Sequence, residues 1–260
     1  MKITHVGGPT ALISLGGLSL LTDPAFDEPR EYHLAGRVMT KLTGPAVSVA
    51  SLGPIDAVLL SHDQHKDNLD ESGRELLSSV PVVLSTPDAA GRIEGVRGLE
   101  NWESVELARP DGGTLTVTGL PARHGPEGCE PITGVVTGFL LSGSDLPTVY
   151  VSGDNASVDL VADLTTRLAA GTIPGITARA VDVAVLFAGA ARTPLLGGAP
   201  LTLTSEAAVE AARFLAPAAI VPVHTEGWAH FSEGPEVLAK TFAAAGLDLH
   251  LPPAGKPLSL

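Results

Sequence analysis

Four short apolar stretches of this chain run into a histidine or an aspartate. Asp56–Leu60 leads to His62, Thr114–Gly119 to Arg123-His124-Gly125, Thr148–Ser152 to Gly153-Asp154-Asn155, and Ala219–Val223 directly into His224. Each stretch has the length and apolar content of a buried strand. In layered α/β folds, ligands bind in the crevice outside the carboxyl ends of the strands. Polar residues at four such ends can therefore meet at one point. Singly, each has a plainer account. A histidine after a strand is commonly a surface residue, and Asp154 stands where a helix cap would. Independent surface positions would not all fall at strand ends, and that coincidence favours a shared site.

The rest of the chain supplies the layers. Thr10–Ser14 and Leu18–Thr22 flank Gly16-Gly17, a two-residue hairpin signal. Ala25–Pro54 shows no clear periodicity and reads as a long loop over a site, a candidate lid. Beyond it, strands at Val80–Leu84, Gly134–Leu141 and Val181–Phe187 alternate with helices. The helices are expected at Asp70–Ser79, Ser157–Ala169, Thr204/Ser205 to Leu215, and Glu233–Ala245. A meander followed by alternation places the chain in the α/β or α+β class. No composition break divides it, so residues 1–260 are read as a single domain.

The densest chemistry lies in Ser61-His62-Asp63-Gln64-His65-Lys66-Asp67-Asn68-Leu69-Asp70, which holds two of the chain's eight histidines. Borderline-soft divalent metals favour mixed nitrogen and oxygen ligands of this kind. Asp67 and Asn68 also suit helix caps, and Asn68 precedes Glu71 by the three positions of a capping box. At about 100° per residue, no single helical face carries His62, His65 and Asp67 together. A strand–loop–helix junction is required.

Composition narrows the partners. A formal net charge of -13 disfavours polyanions, so nucleic acid is not expected, although a local metal could still attract one small anionic substrate. No run approaches the ~20 apolar residues of a membrane span, and Met1–His5 moves straight into strand-like sequence without the apolar core of a signal peptide. The single cysteine, Cys129, fits a reducing compartment and carries no local signature of a nucleophile. The expectation is a cytoplasmic protein acting on a small molecule, with its oligomeric state open.

Ordered along the chain, these segments resemble the metallo-β-lactamase superfamily, in its lactonase-like and phospholipase-D-like branch. The resemblance rests on Ile3 to Ile13, Leu20 to Phe26, the histidine run, Ser152-Gly153-Asp154-Asn155 and Val221 to Trp228. It implies a four-layer αββα sandwich and a hydrolase that uses metal-activated water on an ester, lactone, amide or phosphodiester. It further implies that His62, His65 and His124 hold a first metal, and that Asp67 and His224 serve a second, with Asp154 bridging. The run departs from the family's His-x-His-x-Asp-His in two ways: two residues separate His62 from His65, and Asn68 stands where the last histidine is expected. Asn68 offers only a neutral carbonyl oxygen. One or two ions per chain are therefore expected, with zinc first and manganese or iron as alternatives.

Other residues take supporting roles in this reading. Asp67 is also a candidate proton acceptor and His230 a candidate proton donor, while Glu226 and Trp228 are candidate substrate contacts. Core packing is an equal account of Trp228. His5 and Asp23 are candidates to orient ligating imidazoles. His33 is expected to be exposed, and His250 to lie outside the site. Two competing readings stand beside the hydrolase. One is a degenerate, non-catalytic or single-metal binding protein, kept open by Asn68; the other is a di-iron redox protein.

Overall fold

The structure, a computed structural model, describes residues 1–34 and 37–260. Its strands are β1 (Lys2–Gly7), β2 (Thr10–Leu15), β3 (Leu18–Thr22), β4 (Arg30–Leu34), β5 (Arg37–Lys41), β6 (Ala57–Leu59), β7 (Val82–Ser85), β8 (Val96–Gly98), β9 (Ser104–Ala108), β10 (Thr114–Ala122), β11 (Val136–Ser142), β12 (Val149–Val151), β13 (Val183–Phe187), β14 (Ala219–Val223) and β15 (Pro257–Ser259). The helices are α1 (Glu71–Leu77), α2 (Pro87–Arg92), α3 (Glu130–Thr133), α4 (Val158–Ala170), α5 (Ser205–Leu215) and α6 (Pro235–Ala244).

Two mixed sheets stack face to face. The first runs β15-β1-β2-β3-β6-β7-β8 and the second β14-β13-β12-β11-β10-β9. The period-2 alternation of strand side chains explains the stacking. In β13, Val183, Val185 and Phe187 enter the core between the sheets, while Ala184 and Leu186 face the helices α4, α5 and α6. In β6, Ala57 and Leu59 face inward and Val58 faces the apolar layer that includes Leu77 of α1. Strands buried on both faces lose the polar alternation of a solvent-facing sheet, hence the unbroken apolar runs. Each fully buried Leu, Val or Phe contributes roughly 1.5–3 kcal/mol. The outcome is the expected αββα sandwich.

The pairing sends the site residues to one edge. Strands β3, β6 and β7 are parallel, with Thr22 opposite Leu59 and Leu59 opposite Leu84. In the second sheet β12, β13 and β14 are parallel, with Val151 opposite Val185 and Phe187 opposite Val223. Strand β11 is antiparallel to both β12 and β10, so β10 ends on the same edge as β12. The carboxyl ends of β3, β6, β10, β12 and β14 thus open together.

The structure corrects several local expectations. The stretch Ala25–Pro54 contains the antiparallel ribbon β4–β5, which buries Tyr32 and Met39 against Trp228. Ala35 and Gly36, within the expected lid, lie outside the described residues. Neither Asp67 nor Asn68 caps α1. Asp70 does so, accepting a hydrogen bond from the Gly73 amide. Asp154 caps nothing either, since Ser157 holds the N-cap position of α4. Thr204 caps α5 as expected, accepting from the Ala207 amide.

Candidate metal centre

Irregular backbone between β6 and α1 carries the histidine run and absorbs its additional residue. His62 leaves the end of β6, and amides of Asn68 and Leu69 both bond back to the His65 carbonyl, folding Asp67 under the imidazoles. Asp63 leaves the cluster: Arg92 of α2 grips its carboxylate through Nε at 2.9 Å and Nη2 at 2.6 Å. His124 follows β10, Asp154 follows β12, and His224 ends β14. Gly153 sits at φ +55, and a Cβ there would collide with the Thr137 carbonyl, so the turn presenting Asp154 requires glycine. His224 adopts left-handed backbone at φ 58, held by its amide on the Gly8 carbonyl at 2.7 Å.

The side chains form two adjoining groups that share Asp154. His62, His65, His124 and Asp154 make one, and Asp67, Asp154 and His224 the other, with the ligand atoms of each group within 4.8 Å of one another. His62 Nε2 lies 2.9 Å from His65 Nδ1, and His124 Nε2 lies 3.2 Å from the same atom. His124 Nε2 is 3.5 Å from Asp154 Oδ2, and His224 Nε2 is 3.7 Å from Asp154 Oδ1. Donors at 2.0–2.1 Å from a tetrahedral ion would be about 3.3 Å apart. His230, from the loop after β14, meets the second group through Asp67 Oδ2, at 3.0 Å.

Hydrogen bonds outside the cluster fix the imidazole tautomers. His124 Nδ1 lies 2.8 Å from the Leu201 carbonyl, which can only accept, so Nδ1 carries the proton and Nε2 presents a lone pair. Ser61 Oγ donates to Asp23 Oδ2 at 2.6 Å and accepts from His62 Nδ1 at 2.9 Å, which leaves His62 Nε2 bare as well. Asp23 also accepts from the Ser61 amide at 2.5 Å and from Asn68 Nδ2 at 3.0 Å. His65 can donate to only one of its two neighbours. Three ring nitrogens facing one another therefore suit a shared cation. Among the described residues, neither oxygen of Asp154 and not Oδ1 of Asp67 has a hydrogen-bond partner, although all three are buried. Buried carboxylate oxygens left so are the donors a metal would satisfy.

Electrostatics divide the cluster. Burial, reinforced by His65 and His124, holds His62 well below the usual histidine range, and burial pushes His124 down to about 4. Burial alone would raise Asp67, but His230 and His224 pull it well below the usual carboxylate range. Burial alone would lower His224, yet Asp154 and Asp67 hold it above its ordinary value. Asp154 is raised by burial, against the pull of His224. Burial, with Asp154 nearby, lifts Asp23 to about 7.

The model of the beta-lactamase superfamily domain matches residues 19–225, which include every residue of both groups. The chain belongs to the beta-lactamase superfamily. Similar solved structures agree with that fold. The isothiocyanate hydrolase from Delia radicum gut bacteria is 22% identical, with a TM-score of 0.80 over 100% of this chain and 99% of that one. Igni18, a metallo hydrolase from Ignicoccus hospitalis, is 18% identical, with a TM-score of 0.71 over 99% and 97%. An uncharacterized protein of Mycobacterium tuberculosis is 32% identical over 131 residues, 48% of this chain and 34% of that protein. The match thus spans about a third of the length of the curated relative.

The remaining sequence candidates sort by place. Asn68 is wholly buried beside the superfamily's ligand positions, with its amide on Asp23. Trp228 stacks on Tyr32 at 5.6 Å between ring centroids and is buried there as packing. Glu226 stands 3.9 Å from His5 and lines, with Thr225 and several prolines, a cavity of about 240 Å³ that none of the cluster side chains enters. His5 bonds the Gly8 carbonyl, whose oxygen in turn anchors His224, so it supports that loop without touching a ligand. His33 is exposed. The sequence reading missed Ser61, Leu201 and the buried pair of Lys41 Nζ with Asp70 Oδ2 at 2.8 Å. Of these only Ser61, next to His62, left a signal. Among the described residues no helix is long and apolar enough to cross a membrane.

Proposed function

We propose that the chain is a metal-dependent hydrolase of a small-molecule ester, lactone, amide or phosphodiester, with zinc as the preferred ion. One observation carries this reading. Asp154 is wholly buried between two sets of nitrogen donors, with neither carboxylate oxygen hydrogen-bonded among the described residues. His62, His65, His124 and Asp154 would hold a first ion, and Asp67, Asp154 and His224 a second. A bound divalent ion supplies Lewis acidity there, lowering the pKa of a water from 15.7 to about 7 and polarising an acyl or phosphoryl oxygen.

The chain's own residues do the rest. Leu201 and Ser61 keep His124 and His62 in the tautomers that present Nε2. Asp23 accepts the hydrogen bond from the Ser61 hydroxyl and so keeps that relay pointed one way. Asp67 remains a carboxylate between His224 and His230, able to orient a water or receive its proton. The ribbon β4–β5 packs on Trp228, whose ring lies 6.0 Å from that of His230, and would help exclude bulk water from a bound substrate. The hydrolase names borne by two similar structures support the reaction class. Cys129, free and buried, supports a reducing cytoplasm as the working compartment.

The test is turnover of a panel of p-nitrophenyl esters, lactones and bis-(p-nitrophenyl) phosphate. Zinc- or manganese-loaded protein should hydrolyse at least one class, and chelation should remove the activity. Turnover that survives complete metal removal, or an inert fully loaded protein, would sink the proposal.

A further inference from the structure

We infer that His230 supplies the imidazole that the run lacks at Asn68, and ligates the second ion. The inference rests on the two-ion site proposed above. Asn68 is wholly buried, its amide nitrogen donates to Asp23 Oδ2 at 3.0 Å, and its carbonyl oxygen, without a hydrogen-bond partner among the described residues, offers the site only a neutral donor and no imidazole. Asp154 is shared with the first group, so only Asp67 and His224 would belong to the second ion alone. Borderline-soft ions draw much of their affinity from imidazole nitrogen.

His230 is placed to make up the difference. Its Nε2 lies 3.0 Å from Asp67 Oδ2, the same oxygen that His224 Nε2 approaches at 3.2 Å. Two nitrogens gathered around one carboxylate oxygen at such distances match the separation of donors around a common ion, about 3.3 Å. Both rings lean on Phe231, with centroids at 4.3 Å for His224 and 4.7 Å for His230. One aromatic side chain thus sets both imidazoles. The loop is tied down where it needs to be: the Ala229 amide bonds the Thr40 carbonyl of β5, and the Arg192 amide bonds the His230 carbonyl. His230 Nδ1 has no hydrogen-bond partner among the described residues, so nothing there competes for the ring's orientation. Its side chain is 22% exposed, against 4% or less for Asp67, Asp154 and His224. A ligand on the open side makes the second ion the more exchangeable of the two.

The experiment is titration of chelator-stripped full-length protein with zinc, followed by calorimetry, with ions per chain counted by elemental analysis. Wild type should bind two ions in separable steps. His230→Ala should leave the tighter step within about twofold and weaken the other by about tenfold or more, as loss of a ligand or its support does. His230→Gln keeps a donor to Asp67 but no imidazole, so it should resemble His230→Ala. Asn68→His in the His230→Ala background should recover much of the second step. Circular dichroism of each stripped variant checks that it folds. The inference is overturned if His230→Ala leaves both steps unchanged, if His230→Gln restores the second step, or if wild type binds a single ion. Two ions bound without regard to His230 would overturn this inference alone, whereas no ion bound at all would overturn the proposed function with it.

Discussion

The two groups that share Asp154 are equally buried, yet their side chains titrate in opposite senses. In the group of His62 and His124, desolvation dominates, reinforced at His62 by the other imidazoles and opposed only in part by Asp67, so the neutral rings are favoured. In the group of Asp67 and His224, carboxylate and imidazole face each other, and each favours the other's charged form. Burial penalises any charge, and the sign of the nearest neighbour decides whether the penalty is overcome. A cation entering the first group would meet rings that are favoured neutral. One entering the second would compete with the pairing of Asp67 and His224, which would make the second the weaker half.

The sharpest way to break this comparison is to remove the residue common to both halves. Asp154→Ala should lower turnover by more than about 100-fold, beyond the range for residues that merely orient ligands. It should also weaken both zinc-binding steps, which calorimetry would resolve. A loss confined to one step would show that Asp154 does not join the halves.

Next in size is the support beneath the second half. Lys41 and Asp70 form a buried pair 2.8 Å apart, and Asp70 also caps α1 directly after Asp67 and Asn68. Lys41→Met leaves a buried carboxylate without its cation and should cost about 3 kcal/mol in urea unfolding. The tighter zinc step should survive. A change below about 1 kcal/mol would mean that the amides of Asp27 and Gly73 suffice for Asp70.

Asp23→Asn sharpens the first half. It removes the acceptor for Ser61 Oγ and hence the orientation of His62, so the tighter zinc step should weaken by about tenfold. An unchanged affinity would show that the ring is fixed by packing alone.

The smallest effect is one of pH. In metal-free protein His124 titrates near 4, below its ordinary 6.5. The unfolded chain thus takes up the proton first as pH falls, and stability present above about 6.5 is lost toward 4. Thermal unfolding of stripped wild type should show this fall, and His124→Gln should lessen it, the remainder coming from His62, which burial also holds low. Zinc-loaded protein should lose its ion over the same range, since protons compete for the ring nitrogens.

Much of this was legible in one dimension. The apolar runs of β6, β12, β13 and β14 announced buried strands because both faces are covered. Thr204 announced the start of α5 because a cap satisfies donors within its own turn. The candidate ligand residues at strand ends were readable because four polar residues in the same place after apolar runs are an improbable coincidence, although each alone has a plainer account. The ribbon β4–β5 was not readable: its stability comes from packing Tyr32 and Met39 on Trp228, nearly 200 positions away. The cap of α1 was misjudged because Asp67, Asn68 and Asp70 all suit that place, and only the fold sends each elsewhere.

The sequence by itself determined the layers and which side chains could ligate, because both follow from local period and residue chemistry. The tertiary structure decided the partners. It set His62 on Ser61 and Asp23, His124 on the Leu201 carbonyl, and Asp63 on Arg92, away from the cluster. It turned Asn68 to Asp23 and brought His230 to Asp67, across 163 positions of chain. The reason is physical. A buried polar atom must find a partner wherever the chain folds one to it, and sequence spacing carries no record of that distance.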